Sequence, residues 1–329
     1  MSDALLAAYD AVLFDLDGTV YHGSQVIPGA AETLQAVREH GTPARFVTNN
    51  ASKAPEDVAA HLVGLGIPAE TGEVHTSAQA AAAVLAERVE PGAEVLVVGT
   101  ESLSAEVAQA GLKPVRLNAD TVRAVVQGHS PDNTWAALAE ACLAIRAGAL
   151  WVACNVDATL PTERGLLPGN GAMVAALRTA TDVVPVVAGK PEPLLFETAA
   201  RSAGAQRPLV VGDRLDTDIA GAVAAGIDSL VVLTGVATPK QLITAIPGER
   251  GTYLAPDLTA LTSRPEELEI GPRPGWTVTV SDALVVTGEG DSLDLLRALC
   301  HAAWESSVTD VQADGDAARA ALAELGLAD

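Results

Sequence analysis

Short runs of consecutive apolar residues, each ending on a glycine, an acid or a hydroxyl, alternate along most of this chain with stretches of helical periodicity. An unbroken apolar run bounded by a turn signal reads as a strand buried on both faces, the kind found in parallel sheets. Ala11-Val12-Leu13-Phe14 is such a run, and it leads into Asp15-Leu16-Asp17-Gly18-Thr19. Residues 28–40 read as a helix: Pro28 suits a first turn, Ala30, Leu34 and Val37 recur at helical spacing, and Gly41 stops it. A second strand is expected at 44–47, running into Thr48-Asn49-Asn50, and a helix at 55–65. The rhythm continues with helices at 77–89, 103–110 and 135–147 and strands at 95–98, 122–127 and 150–153. A glycine-rich turn, Leu167-Pro168-Gly169-Asn170-Gly171, precedes a helix at 172–180 and a strand at 183–187. Pro208-Leu209-Val210-Val211-Gly212-Asp213 repeats the opening pattern, followed by a helix at 219–225 and a strand at 229–233, read as the last of its sheet. Such alternation predicts an α/β protein with a parallel, doubly wound, Rossmann-like sheet.

Past about residue 265 the character changes. Residues 264–274 are charged and proline-bearing and read as a linker. Strands are expected at 276–280 and 283–287, helices at 292–304 and 314–325, and a strand at 307–311 between the helices. This is a small α/β appendage whose periodic Leu and Ala positions read as core.

Composition narrows the class. At 329 residues the chain exceeds one ordinary core, so two or more domains are expected. The residues are 49% apolar but only 3% aromatic, so cores must be built from Ala, Val and Leu. A net charge of −22 argues against nucleic acid and anionic membrane surfaces as partners. It also means that any phosphate site needs a metal or local Lys and Arg. Cys142, Cys154 and Cys300 fit neither a disulfide framework nor a zinc spacing. No apolar run approaches the roughly 18 residues of a membrane span, and the first ten residues lack a secretory pattern, so a cytoplasmic protein is expected.

Candidate chemistry lies at the strand ends, where open parallel sheets place their sites. Asp15 and Asp17 would repel each other there unless a cation or a shared proton relieved them. Thr48, Asn49 and Asn50 can hold anionic oxygens; read alone, Thr48, Asn49 and Ser52 cap the next helix. Lys190, fixed between Gly189 and Pro191, would supply a point charge. Asp213 can share a cation with Asp15, whereas Asp218 can cap a helix or reach the same ion through water. His129, at the end of the 122–127 strand, can meet a substrate or serve as a turn residue.

Taken in order, Asp-x-Asp-Gly-Thr, Thr-Asn, Gly-Lys-Pro and Gly-Asp-x-x-x-x-Asp resemble the motif quartet of the haloacid dehalogenase superfamily of phosphatases, across residues 10–262. The resemblance implies Asp15 as nucleophile, taking the phosphoryl group as an aspartyl phosphate, and Asp17 as general acid and base. It implies Thr48, Asn49 and Asn50 as the phosphate-binding loop and Lys190 as the group that offsets the nucleophile's charge. It implies Mg²⁺ held by Asp15, the Asp17 carbonyl and Asp213, with Asp218 in the outer shell. The long span between Thr48 and Lys190 then holds an inserted cap, similar to the class IIA cap of the p-nitrophenyl-, phosphoglycolate- and glycerol-phosphate phosphatases. The implied division is a hydrolase core of 1–80 and 181–264, a cap of 81–180 and an appendage of 275–329. Dimers through the cap are frequent in that branch.

Two segments depart from the branch: Cys154-Asn155-Val156-Asp157 stands where Thr-Asn-Pro-Asp is common, and His129-Ser130 where an acid is common. His129, Asn155 and Asp157 are therefore the candidates for contact with the leaving group. The expected substrate is a small phosphorylated metabolite, glycerol 3-phosphate first, with phosphoglycolate, nucleotides and sugar phosphates as alternatives. A phosphometabolite sensor without turnover is the alternative of another class. The appendage's element order is weakly similar to part of an acetyltransferase-like domain. It lacks the Arg/Gln-x-x-Gly-x-Gly/Ala loop that would hold a coenzyme A pyrophosphate, so acetyl transfer is not expected.

Overall fold

A computed structural model describes residues 4–162 and 164–328. The chain divides into two compact units, Met1–Ala44 with Ala203–Asp329, and Arg45–Ser202.

The first unit carries four parallel strands in the order Tyr253–Ala255, Asp228–Val232, Pro208–Gly212, Ala11–Phe14. All four residues of Ala11–Phe14 are fully buried, as a continuous run of apolar side chains requires. The helix Ala30–His40 begins after Gly29, whose positive φ of 81° leaves no room for a side chain against Thr259. Pairing runs from Ala11↔Pro208 to Phe14↔Val211, so Asp15 and Asp213 emerge at the same end of adjacent strands. The strand at 228–232 is not the last, because Tyr253–Ala255 continues the sheet beside it. Three residues ahead of Pro256 are too short a run for periodicity to reveal.

The same unit holds the C-terminal segment: strands Trp276–Val280, Leu284–Gly288 and Val311–Ala313 with helices Ser292–Ser306 and Asp316–Glu324. Leu284, Val286, Leu295, Leu299 and Leu322 share one apolar cluster with Leu215, Ile219, Val231, Leu242 and Leu254. The stretch expected as a linker is folded: Pro265–Leu268 is a helical turn, Leu268 is buried, and Arg273 donates to the carbonyls of Glu266 and Glu269. Charge and proline there signal helix capping rather than a flexible tether.

In the second unit Ala44–Thr48 pairs in parallel with Val74–Thr76. A separate five-stranded parallel sheet has the order Val186–Val187, Leu150–Ala153, Val122–Gln127, Glu94–Val98, Lys113–Val115. Helices Trp135–Arg146 and Asn170–Thr181 cover one face, packing Ala141, Ala144, Ile145, Val174 and Leu177 on Leu96, Val125 and Trp151. The turn expected at 167–171 is in part a strand, since Thr159–Thr162 and Gly165–Pro168 form an antiparallel hairpin. Leu166 and Leu167 are exposed on it, so neither alternation nor a buried run marked it in the sequence. Among the described residues no helix is long and apolar enough to cross a membrane.

Candidate active site

The acids gather in the first unit. Asp15 continues the strand Ala11–Phe14, its N–H donating to the carbonyl of Val211 at 2.9 Å. Asp213 follows Pro208–Gly212, and Asp218 sits in a π-helical turn, Leu215–Ile219, that leads into the helix Ala220–Ala225. Asp15, Asp213 and Asp218 are buried, and each offers a carboxylate oxygen within 4.8 Å of the other two. Asp17 lies exposed on the loop three residues beyond the strand's last residue, Phe14, and its side chain is outside that cluster.

Glycines shape the pocket around these carboxylates. A Cβ on Gly18 would fall 2.5 Å from Asp213 Oδ2, one on Gly235 1.9 Å from the same atom, and one on Gly212 2.4 Å from Asp218 Cβ. Gly18 also holds φ at +91°, a region that favours glycine. Asp213 is oriented by the Val236 N–H at 2.7 Å and the Thr19 hydroxyl at 3.3 Å. Asp218 accepts from the Arg214 N–H at 3.1 Å. Burial, with the charges of Asp17 and Asp15, raises the Tyr21 phenol far above its ordinary range, so it stays protonated. Three buried carboxylates so close, with oxygen as the only donor atom, form the set a hard divalent cation takes. The residues fit Mg²⁺.

The second unit gathers the neutral and cationic groups. Thr48 ends its strand 5% exposed, and its Oγ1 accepts the Asn50 N–H at 3.1 Å; Asn50 Oδ1 in turn accepts the Ser52 N–H at 2.7 Å. Helix capping is not their role, because the helix Pro55–Gly64 starts after Ala54 with no side-chain cap. The Asn49 carboxamide pairs with the main chain of Lys190, accepting its N–H at 2.8 Å and donating to its carbonyl at 3.0 Å. The same amide reaches Asp157 at 3.3 Å. Lys190 is 2% exposed, with Nζ 3.3 Å from the Val47 carbonyl and 6.0 Å from the centroid of the Phe196 ring. Gly189 has to be glycine: a Cβ would lie 2.5 Å from both Asn49 Oδ1 and the Cys154 carbonyl.

Of the leaving-group candidates, Asn155 is 4% exposed and donates to the Asn49 carbonyl at 2.6 Å, while Asp157 meets the Asn49 amide. Ser52 Oγ donates to the His129 carbonyl at 3.0 Å. Burial lowers the His129 imidazole below its usual range, favouring the neutral ring. The structure thus brings Asp15, Asp213 and Asp218 together in one unit, and Thr48, Asn49, Asn50, Asn155, Asp157 and Lys190 together in the other. Sequence reading missed Ser77, whose hydroxyl donates to the Asn49 carbonyl at 2.6 Å, and Asn170. Ser77 opens a helix and reads there as part of its start; Asn170 lies in a segment that reads as turn chemistry.

Comparison with known proteins adds to this geometry. Residues 12–113 match the haloacid dehalogenase-like hydrolase family, 187–261 a second hydrolase family of the same kind, and 273–327 a GCN5-related N-acetyltransferase like domain. A D-glycerol 3-phosphate phosphatase of Mycobacterium tuberculosis is 50% identical, over 97% of this chain and 94% of that protein. A 5'-nucleotidase of Bacillus subtilis is 39% identical, over 77% of this chain and 98% of that protein. The crystal structure of the glycerol phosphate phosphatase of M. tuberculosis in complex with magnesium superposes with a TM-score of 0.95 at 51% identity, covering 98% of this chain and 99% of that one.

Proposed function

The chain belongs to the haloacid dehalogenase superfamily of phosphatases, and from that membership we propose that it hydrolyses glycerol 3-phosphate to glycerol and phosphate with Mg²⁺. The observation that carries the reading is the buried trio Asp15, Asp213 and Asp218, with carboxylate oxygens within 4.8 Å of one another. In this reading Asp15, the Asp17 carbonyl and Asp213 hold the ion, and Asp218 acts on it through water. When bound, Mg²⁺ supplies positive charge to the phosphoryl oxygens and lets the acids stay ionised side by side.

An Asp15 carboxylate oxygen attacks phosphorus and the bond to the alkoxide breaks, with Asp17 giving the leaving oxygen its proton. Asp17 then takes a proton from water, which attacks the aspartyl phosphate, releases inorganic phosphate and restores Asp15. Thr48, Asn49 and Asn50 hold the phosphoryl oxygens, and Lys190 offsets charge that grows on the transferring group. The 81–180 segment serves as the cap, 1–80 with 181–264 as the hydrolase core, and 275–329 as an appendage.

A polyol leaving group suits what the tips of the five-stranded sheet carry. His129 is drawn toward its neutral form, able to donate or accept one hydrogen bond from a hydroxyl. Arg116 spends its guanidinium on the carbonyls of Val97, Gly99 and Thr100 and on Glu101. A carboxylate-bearing leaving group such as glycolate would want a cation there. The test is a panel of glycerol 3-phosphate, phosphoglycolate, a nucleoside monophosphate and a sugar phosphate. The expected result is the highest kcat/KM for glycerol 3-phosphate; a preference for phosphoglycolate would overturn it. Trp135, 84% exposed, and Leu143 lie on one helix of the second unit and suit a homodimer through the cap, which sedimentation of wild type against Trp135→Lys would test. We place the enzyme in the cytoplasm, in keeping with its free cysteines.

A further inference from the structure

Asn170 is 2% exposed and opens the helix Asn170–Thr181. Its Nδ2 donates to the carbonyl of Asn155 at 2.7 Å and to that of Gln127 at 3.3 Å, while its buried Oδ1 has no hydrogen-bond partner among the described residues. Both donor hydrogens of this buried carboxamide are thus in use. Asn155 passes the contact on, its own Nδ2 donating to the Asn49 carbonyl at 2.6 Å. Asn49 then pairs with both main-chain groups of Lys190. Three side-chain amides in series therefore run from a helix start to the lysine and to the loop after Thr48.

The glycines of the segment exist for this approach. A Cβ on Gly169 would stand 2.3 Å from the Asp157 carbonyl oxygen, and one on Gly171 2.1 Å from that of Val156. The Gly169 and Gly171 N–H groups donate to the carbonyls of Ala158 and Asp157 at 3.0 and 2.9 Å. Gly-Asn-Gly is thus a mount pressed against residues 156–158, and the N–H groups of its two glycines are occupied by main chain.

We propose that Asn170 is a positioning residue of the phosphoryl site, acting through Asn155 and Asn49 to fix Lys190 and the Thr48–Asn49 turn. The proposal rests on the reading that Thr48, Asn49 and Lys190 hold the phosphoryl group. It assigns Asn155 to support of that group rather than to contact with the leaving alcohol.

The experiment measures the affinity of the Mg²⁺-loaded enzyme for inorganic phosphate by calorimetry, and kcat and KM for glycerol 3-phosphate, in wild type, Asn170→Ala, Asn49→Ala, the double variant and Lys190→Ala. Asn170→Ala is expected to weaken phosphate binding and lower kcat, each by about tenfold, and to cost less than a further twofold in the Asn49→Ala background, as a shared path requires. Thr181→Val, at the far end of the same helix where the hydroxyl donates to the Leu177 carbonyl at 2.7 Å, is expected to lower Tm and leave kcat and phosphate affinity unchanged. Asn170→Ser, with a shorter donor, gives an intermediate value and stands in should the alanine variant fold poorly. Phosphate affinity within twofold of wild type in Asn170→Ala, with a loss in Lys190→Ala, overturns the relay alone; an unchanged affinity in Lys190→Ala overturns the underlying reading as well. Costs that add fully in the double variant also overturn the relay.

Discussion

Asp213 is held on several sides. Its Oδ2 accepts the Val236 N–H at 2.7 Å, and Gly18 and Gly235 close on it so tightly that neither could bear a methyl group. Gly235→Ala is therefore expected to push the Asp213 carboxylate from its place. The half-saturating Mg²⁺ concentration in a phosphate-release assay should rise more than tenfold, with Tm lowered by only a few degrees; an unchanged Mg²⁺ requirement would contradict the assignment of Asp213 as a ligand. Asp15 and Asp213 were legible in the sequence because each follows an apolar strand directly, so strand position and chemistry coincide; Asp17, Lys190 and Asp218 stand further from a strand end and were legible through the ordered motifs that hold them. Gly235 was not, since its work is done against a residue distant in sequence and no local pattern reports that contact. Asn155 was legible only through the resemblance of residues 154–157 to a motif of the branch, as a candidate for leaving-group contact; its bond to the Asn49 carbonyl emerges from the fold.

At the scale of elements, the parallel strands and long helices were legible because their period or their unbroken apolar run is strong. The hairpins Tyr21–His22 with Gln25–Val26 and Thr159–Thr162 with Gly165–Pro168 were not, being short strands without a strong apolar pattern. The strand Val74–Thr76 carries a pH-sensitive feature. Burial first, and the charge of Arg45 second, lower the His75 pKa to about 4, with its Nε2 2.9 Å from the Ser202 hydroxyl. The unfolded chain takes up this proton near pH 6.5 but the folded one only near 4, so stability falls as pH drops through that window, by at most about 3 kcal/mol. His75→Gln should show a smaller loss of denaturation free energy between pH 7 and 4.5 than wild type does. An equal loss in both would place the acid sensitivity elsewhere.

For the whole molecule, the C-terminal segment matters through its packing. Leu295, Leu296 and Leu299 are fully buried in the same cluster as Leu215, Leu242 and Leu254, and the nearly buried Arg297 donates Nε and Nη2 to the Leu254 carbonyl at 3.1 and 2.7 Å. Leu299→Ala is expected to destabilise the enzyme by about 2–5 kcal/mol, lowering Tm, while kcat per folded molecule stays within twofold. A fall in kcat with Tm intact would instead give this segment a part in turnover. The sequence showed the segment's own core positions but not that this core is shared, because shared burial is a property of packed faces rather than of one element's period.

The central claim is that Asp15 is the nucleophile of a Mg²⁺-dependent phosphomonoesterase. Its most direct test is release of inorganic phosphate from glycerol 3-phosphate by wild type and Asp15→Asn, each with Mg²⁺ and with the metal chelated. The account predicts phosphate from the wild type with Mg²⁺ alone, and none above background from Asp15→Asn. Sustained release by Asp15→Asn, or by the chelated wild type, would contradict it.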